Sequence, residues 1–539
     1  MSSFVKSRFF IAFVLCAFVI FAGSGCGKKA DEGSFQLRIR LDNDPTTLDP
    51  AYVVDVTGGN ISAKIYSGLV KLDERMQIVG DLAESFEVSE NGTRYTFFLK
   101  KGVRFHCGRE CRAEDIRFSF ERILAQETDS PRRRVLERIK GADTWTGADD
   151  GHVEGIEIGG PYSLTLILDK PYSAFLSLLT MPTAYVVCSS CCGSHSGSLP
   201  CGTGPYRFHE WKHDRHLILH VNADYFGVKP EGLTGIIYYI VPEDFTAMAE
   251  FRKGHIDVME IPTSLLPYLK KEKGRGFTIE QGLTLSTYYI GLDCRKDVFK
   301  DREIRQAVSM AVDKNVLIQH LMEGTVVGAH GPIPPILSGH IEKDVVPFDL
   351  EKAKKICQRE NMDEKPLKLF AKSSKENTDI VSAVASDLEK AGFSIEIELR
   401  DWSSLKESVN KGEADLFFLS WWADIPDGVD FLFPTFHSSN LGSAGNRSFF
   451  QDSRVDSLIE KALAAPAASE KEELYRRISR IIAEECPWVF LWHKKSYYAV
   501  SQDLSGFQVY PMYNMDKGEG YKLKVKSEKF KSEKQKIKE

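Results

Sequence analysis

Cysteine is the residue type whose spacing in this chain could most directly do chemistry. The chain has 11 cysteines, and six of them bunch in sequence: Cys107, Cys111, Cys188, Cys191, Cys192 and Cys201. In an exported protein such a bunch predicts disulfides, because disulfides form and persist in oxidising compartments. Zinc is the rival hypothesis, since Cys107-x3-Cys111 and Cys188-x2-Cys191 have ligand-like spacing and His195 is near. Free thiols are the third alternative. We predict disulfides, and we expect no metal and no cofactor.

Four histidines form a second group with possible metal-binding chemistry: His209, His213, His216 and His220. Residues 217–221 have the alternating pattern of a strand. The spacing of the four histidines would bring them to one face only in a helix, so the pattern disfavours a metal site. We therefore predict a solvent-exposed hairpin. The patterns HExxH, GxSxG and Walker A do not occur in the chain. A secreted zinc hydrolase is disfavoured for this reason, and we predict that the protein is not an enzyme.

Asp424 is the carboxylate best placed to bind a ligand. It lies in Trp421-Trp422-Ala423-Asp424, directly after the apolar run 416–419. A carboxylate at a strand end that faces a cleft can accept a charged hydrogen bond from an ammonium group. The alternative is a structural Asp that caps a turn.

The elements around Asp424 alternate between strands and helices. Short apolar runs predict strands at 36–41, 94–99, 367–371, 394–399 and 415–420. Amphipathic patterns predict helices at 115–124, 350–359, 378–391, 454–465 and 469–484. The clearest helix is 301–318, where Asp301 occupies the N-cap position. This alternation predicts an α/β lobe with a mixed sheet.

Residues 1–25 have the layout of an export signal. Lys6 and Arg8 precede an apolar run over 9–22, which is too short to span a bilayer comfortably. Small residues then precede Cys26, as in a bacterial lipobox, although Gly23 stands where that motif usually has Leu. We predict lipidation of Cys26; an ordinary cleaved signal and an uncleaved anchor are the alternatives. Residues 26–34 are predicted to be a flexible tether, and the Lys-rich stretch 526–539 a disordered tail.

Composition limits the class of protein. A length of 539 residues predicts more than one domain, and 42% hydrophobic with 27% charged residues excludes a disordered chain. The formal net charge of -6 provides no basic field for nucleic acid. Beyond the export signal no apolar run is long enough to span a membrane. We therefore expect a soluble exported protein with no nucleic-acid partner.

Five segments carry a resemblance to a known family. They are NDPTTLDP at 43–50, LAESFEV…FERIL at 82–124, GTGPY at 202–206, YYIGLDC…MAVD at 288–313 and WWADIPDGVDFLFPTFHSSN at 421–440. In this order they resemble the peptide-binding branch of the bacterial solute-binding proteins of family 5, the oligopeptide- and dipeptide-binding components of ABC importers. The resemblance implies an α/β, two-lobed fold like that of periplasmic binding proteins. It also implies an extra subdomain on lobe I and a ligand cleft that closes by hinge motion.

The resemblance also implies boundaries and partners. Lobe I would comprise 35–77, 201–287 and 500–525, with the extra subdomain at 78–200 and lobe II at 288–499. The protein would be a monomer on the periplasmic or cell-surface face of a membrane, held there by its N-terminal lipid. Its partners would be a peptide ligand and the permease subunits of an ABC importer.

The family's binding positions fall on several residues of this chain. Asp424 matches the position that holds the ligand's α-amino group. Trp421, Trp402 and, less clearly, Trp492 match walls of side-chain pockets. The backbone of Asp55, Val56, Thr57 and Gly58, ahead of a helix predicted at 61–66, would pair with an extended peptide.

One position departs from the family pattern and leaves the ligand open. Phe418 stands where relatives that bind short peptides often have an Arg for the ligand carboxylate. Lys372, Lys375 or His493 could replace it, or the ligand carboxylate could be left in water. Glutathione, a metal chelate such as nickel, or haem are therefore alternative ligands, and a surface adhesin or chaperone on the same fold is an alternative role.

Overall fold

The computed structural model describes residues 36–147, 151–191, 200–272, 274, 276–465 and 467–524. Several predictions lie outside the described residues. They concern the export signal, the tether that contains Cys26, the cysteine Cys192, and the tail at 526–539. Within the described part of the chain, no helix is both long enough and apolar enough to cross a membrane.

The described elements alternate along the chain as an α/β protein. The strands are β1 Gln36–Leu41, β2 Val70–Leu72, β3 Ile78–Gly80, β4 Ala83–Val88, β5 Arg94–Leu99, β6 Ile156–Gly160, β7 Ser163–Ile167, β8 Tyr206–Lys212, β9 His216–Val221, β10 Gly235–Ile240, β11 Val258–Glu260, β12 Phe277–Leu283, β13 Ser286–Leu292, β14 Val326–Gly328, β15 Leu367–Lys372, β16 Ile395–Arg400, β17 Leu416–Trp422, β18 Trp488–Ser501, β19 Leu504–Ser505 and β20 Lys522–Leu523. The α-helices are Val56–Ile65, Ala113–Leu124, Phe175–Leu178, Asp244–Arg252, Leu266–Lys271, Asp297–Lys300, Arg302–Ala311, Lys314–His320, Leu350–Arg359, Lys375–Ala391, Trp402–Lys411, Val429–Phe436, Ser453–Ala464 and Ala468–Glu485.

The main sheet consists of two halves that share strand β18. Its strand order is β16-β15-β17-β13-β18-β11-β1-β10-β9-β8, and β12 and β14 also pair with β18. The first part of β18 pairs with β13 and β14, for example Trp492 opposite Tyr288. The last part pairs with β11 and β12, for example Val500 opposite Val258. One strand therefore runs through both halves of the sheet.

A separate four-stranded antiparallel sheet, in the order β4-β5-β7-β6, lies within the segment predicted as the extra subdomain. The helix Ala113–Leu124 follows β5, and its buried face includes Ile116, Phe120 and Leu124. These side chains belong to one hydrophobic cluster together with alternate residues of β5 and β7. The small sheet thus has an apolar core on one face, as expected of an antiparallel sheet with one solvated face.

Most predicted elements are confirmed, and one predicted helix is wrong. The helix Leu350–Arg359 has the predicted bounds. Asp301 caps the helix Arg302–Ala311, as predicted, by accepting a hydrogen bond from the Glu303 N–H at 2.8 Å. The predicted single helix 301–318 is instead two helices. Asp313 accepts hydrogen bonds from two N–H groups beyond it, so it caps a second helix that begins at Lys314.

The histidine hairpin is confirmed. Strands β8 and β9 pair antiparallel around Asp214, which has a φ of 57°. His209 and His220 stack across the two strands with 4.2 Å between ring centroids, and His216 lies 3.2 Å from a carboxylate oxygen of Glu210. The side chains are thus engaged in a hairpin surface and do not converge on one point.

A buried ion pair fastens the end of the described chain to the start of the small sheet. The Lys517 ammonium and the Asp81 carboxylate are in contact, with 5% and 1% of their side chains exposed. Asp81 also accepts a hydrogen bond from the Gly68 N–H at 3.2 Å, and Lys517 donates to the Ser67 hydroxyl at 3.2 Å. Burial lowers the pKa of Lys517, an effect that the negative charge of Asp81 opposes.

We predict that Asp81→Ala lowers the free energy of unfolding by roughly 3–5 kcal/mol, because it leaves a buried ammonium without its partner. The matched control is Glu231→Ala, which removes the partner of Lys522 from a pair with 55% and 66% of its side chains exposed. We expect that change to cost less than about 1 kcal/mol. Denaturant unfolding of both variants measures the difference. Equal, small effects would contradict a structural role for the buried pair.

Candidate binding site

Asp424 lies just past the end of β17, as predicted, and its carboxylate is held by two arginines. Oδ2 accepts hydrogen bonds from Arg132 Nη1 at 2.8 Å and from Arg134 Nη2 at 2.9 Å. Its side chain is 32% exposed, against 16% for Arg132 and 63% for Arg134. The arginines belong to the segment predicted as the extra subdomain. The contact therefore joins that segment to the strand that ends before Asp424.

Arg132 and Arg134 were not predicted as site residues. They belong to a run of three arginines, and the middle one points elsewhere: Arg133 donates to the carbonyl oxygens of Leu124 and Ala142 at 3.2 and 2.6 Å. The run in Pro131-Arg132-Arg133-Arg134 is the only sequence signal for this pair. It gives no indication of a partner 290 residues away.

Two further groups surround Asp424. The Asp424 N–H donates to Asp430 Oδ2 at 2.8 Å. Burial, and then the negative charge of Asp424, raise the pKa of Asp430 to about 7. Burial, and then the charge of Asp424, raise the pKa of Tyr513 to about 12, and Asp55 acts in the same direction. Asp55 and Asp424, both predicted as site residues, thus lie near the same tyrosine, Tyr513, which was not predicted from the sequence.

The segment 55–58 differs from its prediction. The helix begins at Val56 and not at 61, because Asp55 is its N-cap and accepts a hydrogen bond from the Gly58 N–H at 2.7 Å. The Gly59 N–H bonds to the Asp55 carbonyl oxygen at 3.0 Å. The N–H groups of Gly58 and Gly59 are therefore already paired within the first turn of the helix. Tyr52 and Val54, which precede the helix, are 40% and 49% exposed.

Two of the three predicted tryptophan walls are accessible or partly so. Trp402 is 44% exposed at the start of its helix, with the Lys406 ammonium 5.0 Å from its ring centroid. Trp421 is partly buried, and its indole Nε1 is enclosed with no acceptor among the described residues. Its neighbour Trp422, which was not singled out, is 47% exposed.

Trp492 is the predicted wall that the structure contradicts. It is 1% exposed and stacks on Tyr288 within the core of the lobe, with 6.4 Å between ring centroids. Its place in β18, between two paired strands, directs the ring into the sheet's apolar layer. Trp492 therefore supports the fold and does not face a ligand.

The departure at Phe418 also has a structural explanation. Phe418 is 4% exposed and packs near Tyr288, so this position faces the lobe core. His493 is fully buried, and its Nδ1 lies 3.1 Å from Thr287 Oγ1. Burial lowers the pKa of His493 to about 3, so the ring is neutral and enclosed. Of the alternatives for meeting a ligand carboxylate, His493 is therefore excluded. Lys372 and Lys375 are exposed.

The predicted disulfides are not confirmed. The eight cysteines among the described residues are all thiols: Cys107, Cys111, Cys188, Cys191, Cys201, Cys294, Cys357 and Cys486. Four of the six bunched cysteines come together in space, and Cys111 is buried outside that group.

Comparison with known proteins identifies the family. Residues 77–443 match the model of the bacterial extracellular solute-binding proteins, family 5 (middle region). The chain therefore belongs to this family, and the predicted family is confirmed.

Individual relatives differ in what their names say they bind. The chain is 26% identical over 551 residues to the oligopeptide-binding protein AppA of Bacillus subtilis, covering 95% of this chain and 98% of the relative. It is 27% identical over 490 residues to the heme-binding protein A of Haemophilus influenzae, covering 86% and 88%. The ABC transporter-associated periplasmic binding protein DppA of Helicobacter pylori, solved with the peptide STSA, superposes with a TM-score of 0.74 at 24% identity, covering 91% of this chain and 98% of that one. This likeness confirms the mixed α/β fold with two lobes.

The pKa of Asp430 predicts a pH dependence of stability. Its carboxyl is raised from 3.8 to about 7, so the folded state holds this proton more tightly than the unfolded state. The resulting stabilisation is complete below the unfolded pKa and is lost as the pH rises through the folded pKa. Asp430→Asn keeps an acceptor for the Asp424 N–H and cannot ionise. We expect the variant to gain stability relative to the wild type as the pH rises from about 4 to about 7. Denaturant unfolding across that range measures this, and a constant difference between the two proteins would contradict the raised pKa.

Proposed function

We propose that this protein is an exported, lipid-anchored receptor that captures oligopeptides and delivers them to an ABC importer. The observation that carries the proposal is the partly exposed carboxylate of Asp424 at the end of β17. One of its oxygens is held by Arg132 and Arg134, which belong to the segment predicted as the extra subdomain. It is a binding protein and not an enzyme, and it acts as a monomer. Its partners are a peptide and the permease subunits.

The charges around Asp424 suit a ligand that carries an ammonium group. Arg132 and Arg134 both reach Oδ2, so a ligand's α-amino group takes Oδ1. Two guanidinium groups nearby would repel an ammonium. Asp430 offsets this repulsion, because its pKa of about 7 lets it ionise near neutral pH and an approaching cation favours its charged form. The exposed Arg134 can also leave the carboxylate at small cost, since exposed ion pairs contribute little.

The proposed site offers aromatic surface for varied side chains. Trp421 and Trp422 lie at the end of β17, just before Asp424, and Trp402 begins a separate helix with 44% of its surface exposed. Aromatic surface contributes contact area with little directional demand. On the other lobe, the residues around the start of the helix Val56–Ile65 offer the exposed side chains of Tyr52, Val54 and Val56. We retain the proposal that the backbone of this segment pairs with an extended peptide, since backbone pairing gives affinity without reading the ligand's sequence. We retain the predicted boundaries of the two lobes and of the extra subdomain as part of this proposal, with the four-stranded sheet within 78–200 in support.

We predict that Asp424→Ala weakens binding of a free-amine peptide by roughly 30- to 3,000-fold, since truncating one partner of a desolvated charge pair costs about 2–5 kcal/mol. Asp424→Asn keeps the shape and should lose less. An N-acetylated peptide should bind the wild type poorly and should be almost insensitive to the change. Isothermal titration calorimetry measures all of these affinities.

The matched control for Asp424 is Asp244→Ala, which also removes a partly exposed carboxylate from an arginine, here Arg40. It should bind the peptide within about threefold of the wild type, because Asp244 pairs with Arg40 and not with Arg132 or Arg134. If Asp424→Ala folds normally and binds as well as this control, the carboxylate is structural and the proposal loses its principal residue.

Lipidation is tested separately. We expect labelled fatty acid to be incorporated into the wild-type protein and not into Cys26→Ala, because the lipobox cysteine is the residue that carries the lipid. Cys16→Ala, a change within the predicted signal, is the control and should leave incorporation unchanged. Equal labelling of the Cys26→Ala protein would contradict a lipid anchor at this position.

A further inference from the structure

Four cysteines from three separate segments of the chain converge in space. The Sγ atoms of Cys107, Cys188, Cys191 and Cys201 all lie within 4.8 Å of one another, and those of Cys107 and Cys188 are 3.7 Å apart. In a tetrahedral zinc site with Zn–S bonds of about 2.3 Å, neighbouring sulfurs are about 3.8 Å apart. A disulfide would need about 2.05 Å. The spacing is therefore that of ligands around a central ion.

Backbone hydrogen bonds hold the three segments together. Cys107 lies in a tight turn whose next residue, Gly108, has a φ of 91°, a conformation that favours glycine. The Cys191 N–H donates to the Cys188 carbonyl oxygen at 3.1 Å, which forms a turn over the Cys-x2-Cys pair. The Cys188 N–H donates to the Cys201 carbonyl oxygen at 3.3 Å. The His106 N–H donates to the Gly202 carbonyl oxygen at 2.8 Å. The four sulfurs are thus positioned by the backbone before any ion binds.

A cation beside the cluster favours its thiolate form. The Arg109 guanidinium donates to Cys188 Sγ at 3.4 Å and is itself held by Asp115, whose side chain is 2% exposed. The Ser190 hydroxyl also lies 3.2 Å from Cys188 Sγ. These contacts place a cation and a hydroxyl group beside a sulfur that zinc would bind as its thiolate.

We propose that Cys107, Cys188, Cys191 and Cys201 bind one Zn²⁺ in a tetrahedral site of four thiolates. Binding releases the four thiol protons to solvent and involves no change of oxidation state. Four soft sulfur ligands in a closed tetrahedral set favour zinc, and a site without an open position is structural, not catalytic. Cys107 is exposed at the rim, which gives the ion an entry path.

The site would fasten the small sheet to the main sheet. Cys107 follows β5, Cys188 and Cys191 lie in the connection between β7 and β8, and Cys201 lies shortly before β8. Because binding free energy of a structural zinc adds to folding free energy, its removal should loosen this junction first.

The direct test is the metal content of the full chain purified without chelators. We expect one zinc per chain by elemental mass spectrometry, and four sulfur neighbours at about 2.3 Å by X-ray absorption. Replacement by Co²⁺ should give the charge-transfer and d–d bands of a tetrahedral cobalt–thiolate centre. Denaturing alkylation without reductant should label all four cysteines, because a zinc site contains no covalent cross-link.

Variants assign the ion to this cluster. Cys107→Ser and Cys201→Ser should each lower zinc affinity at least tenfold, whereas Cys357→Ser, a buried cysteine outside the cluster, should leave it unchanged. If a variant fails to fold, the zinc content and the X-ray absorption of the wild-type protein still test the proposal. Two disulfides among the four cysteines with no zinc, an iron chromophore, or full zinc content in both serine variants would each overturn the proposal.

Discussion

Strand β18 is the element on which the position of the candidate site depends. Its first part pairs with β13, and β13 pairs with β17, whose end carries Asp424. Its last part pairs with β11 and β12, and the chain then continues to the segment with Tyr513. A single strand therefore sets the distance between the parts of the site that lie on different halves of the sheet. Trp488 and Trp492 anchor it, since each is 1% exposed and stacks on a tyrosine of β13.

The charge cluster at Asp424 explains how such a site can exist without a ligand. A half-buried carboxylate left without a partner would cost free energy, and Arg132 and Arg134 prevent this. In the proposed function, a ligand's ammonium group would pair with a carboxylate that already has partners. The two arginines differ in burial, with 16% of Arg132 and 63% of Arg134 exposed, so Arg134 is the one that could move aside.

The sequence predicted elements better than it predicted which side chains meet. Helix Leu350–Arg359 and strand β1 have their predicted bounds because periodicity and caps are local signals. The break at Asp313 was missed since a cap and a surface Asp look alike in sequence. Trp492 was assigned to the cleft from the family resemblance. The strands that bury it are far away in the chain, so the local sequence does not reveal its burial. Arg132 and Arg134 were missed for the same reason. The cysteine cluster was recognised as a group from the sequence. Whether these cysteines form disulfides or bind a metal depends on the distances between their sulfur atoms, which sequence spacing does not give.

We propose that the site binds a peptide with a free amino terminus. Native mass spectrometry of the freshly purified protein, with fragmentation of whatever co-purifies, tests this proposal, because tight ligands survive purification. We expect a mixture of short peptides with unmodified amino termini and differing side chains, released on unfolding. A single bound haem, glutathione or metal chelate in place of peptides would contradict it.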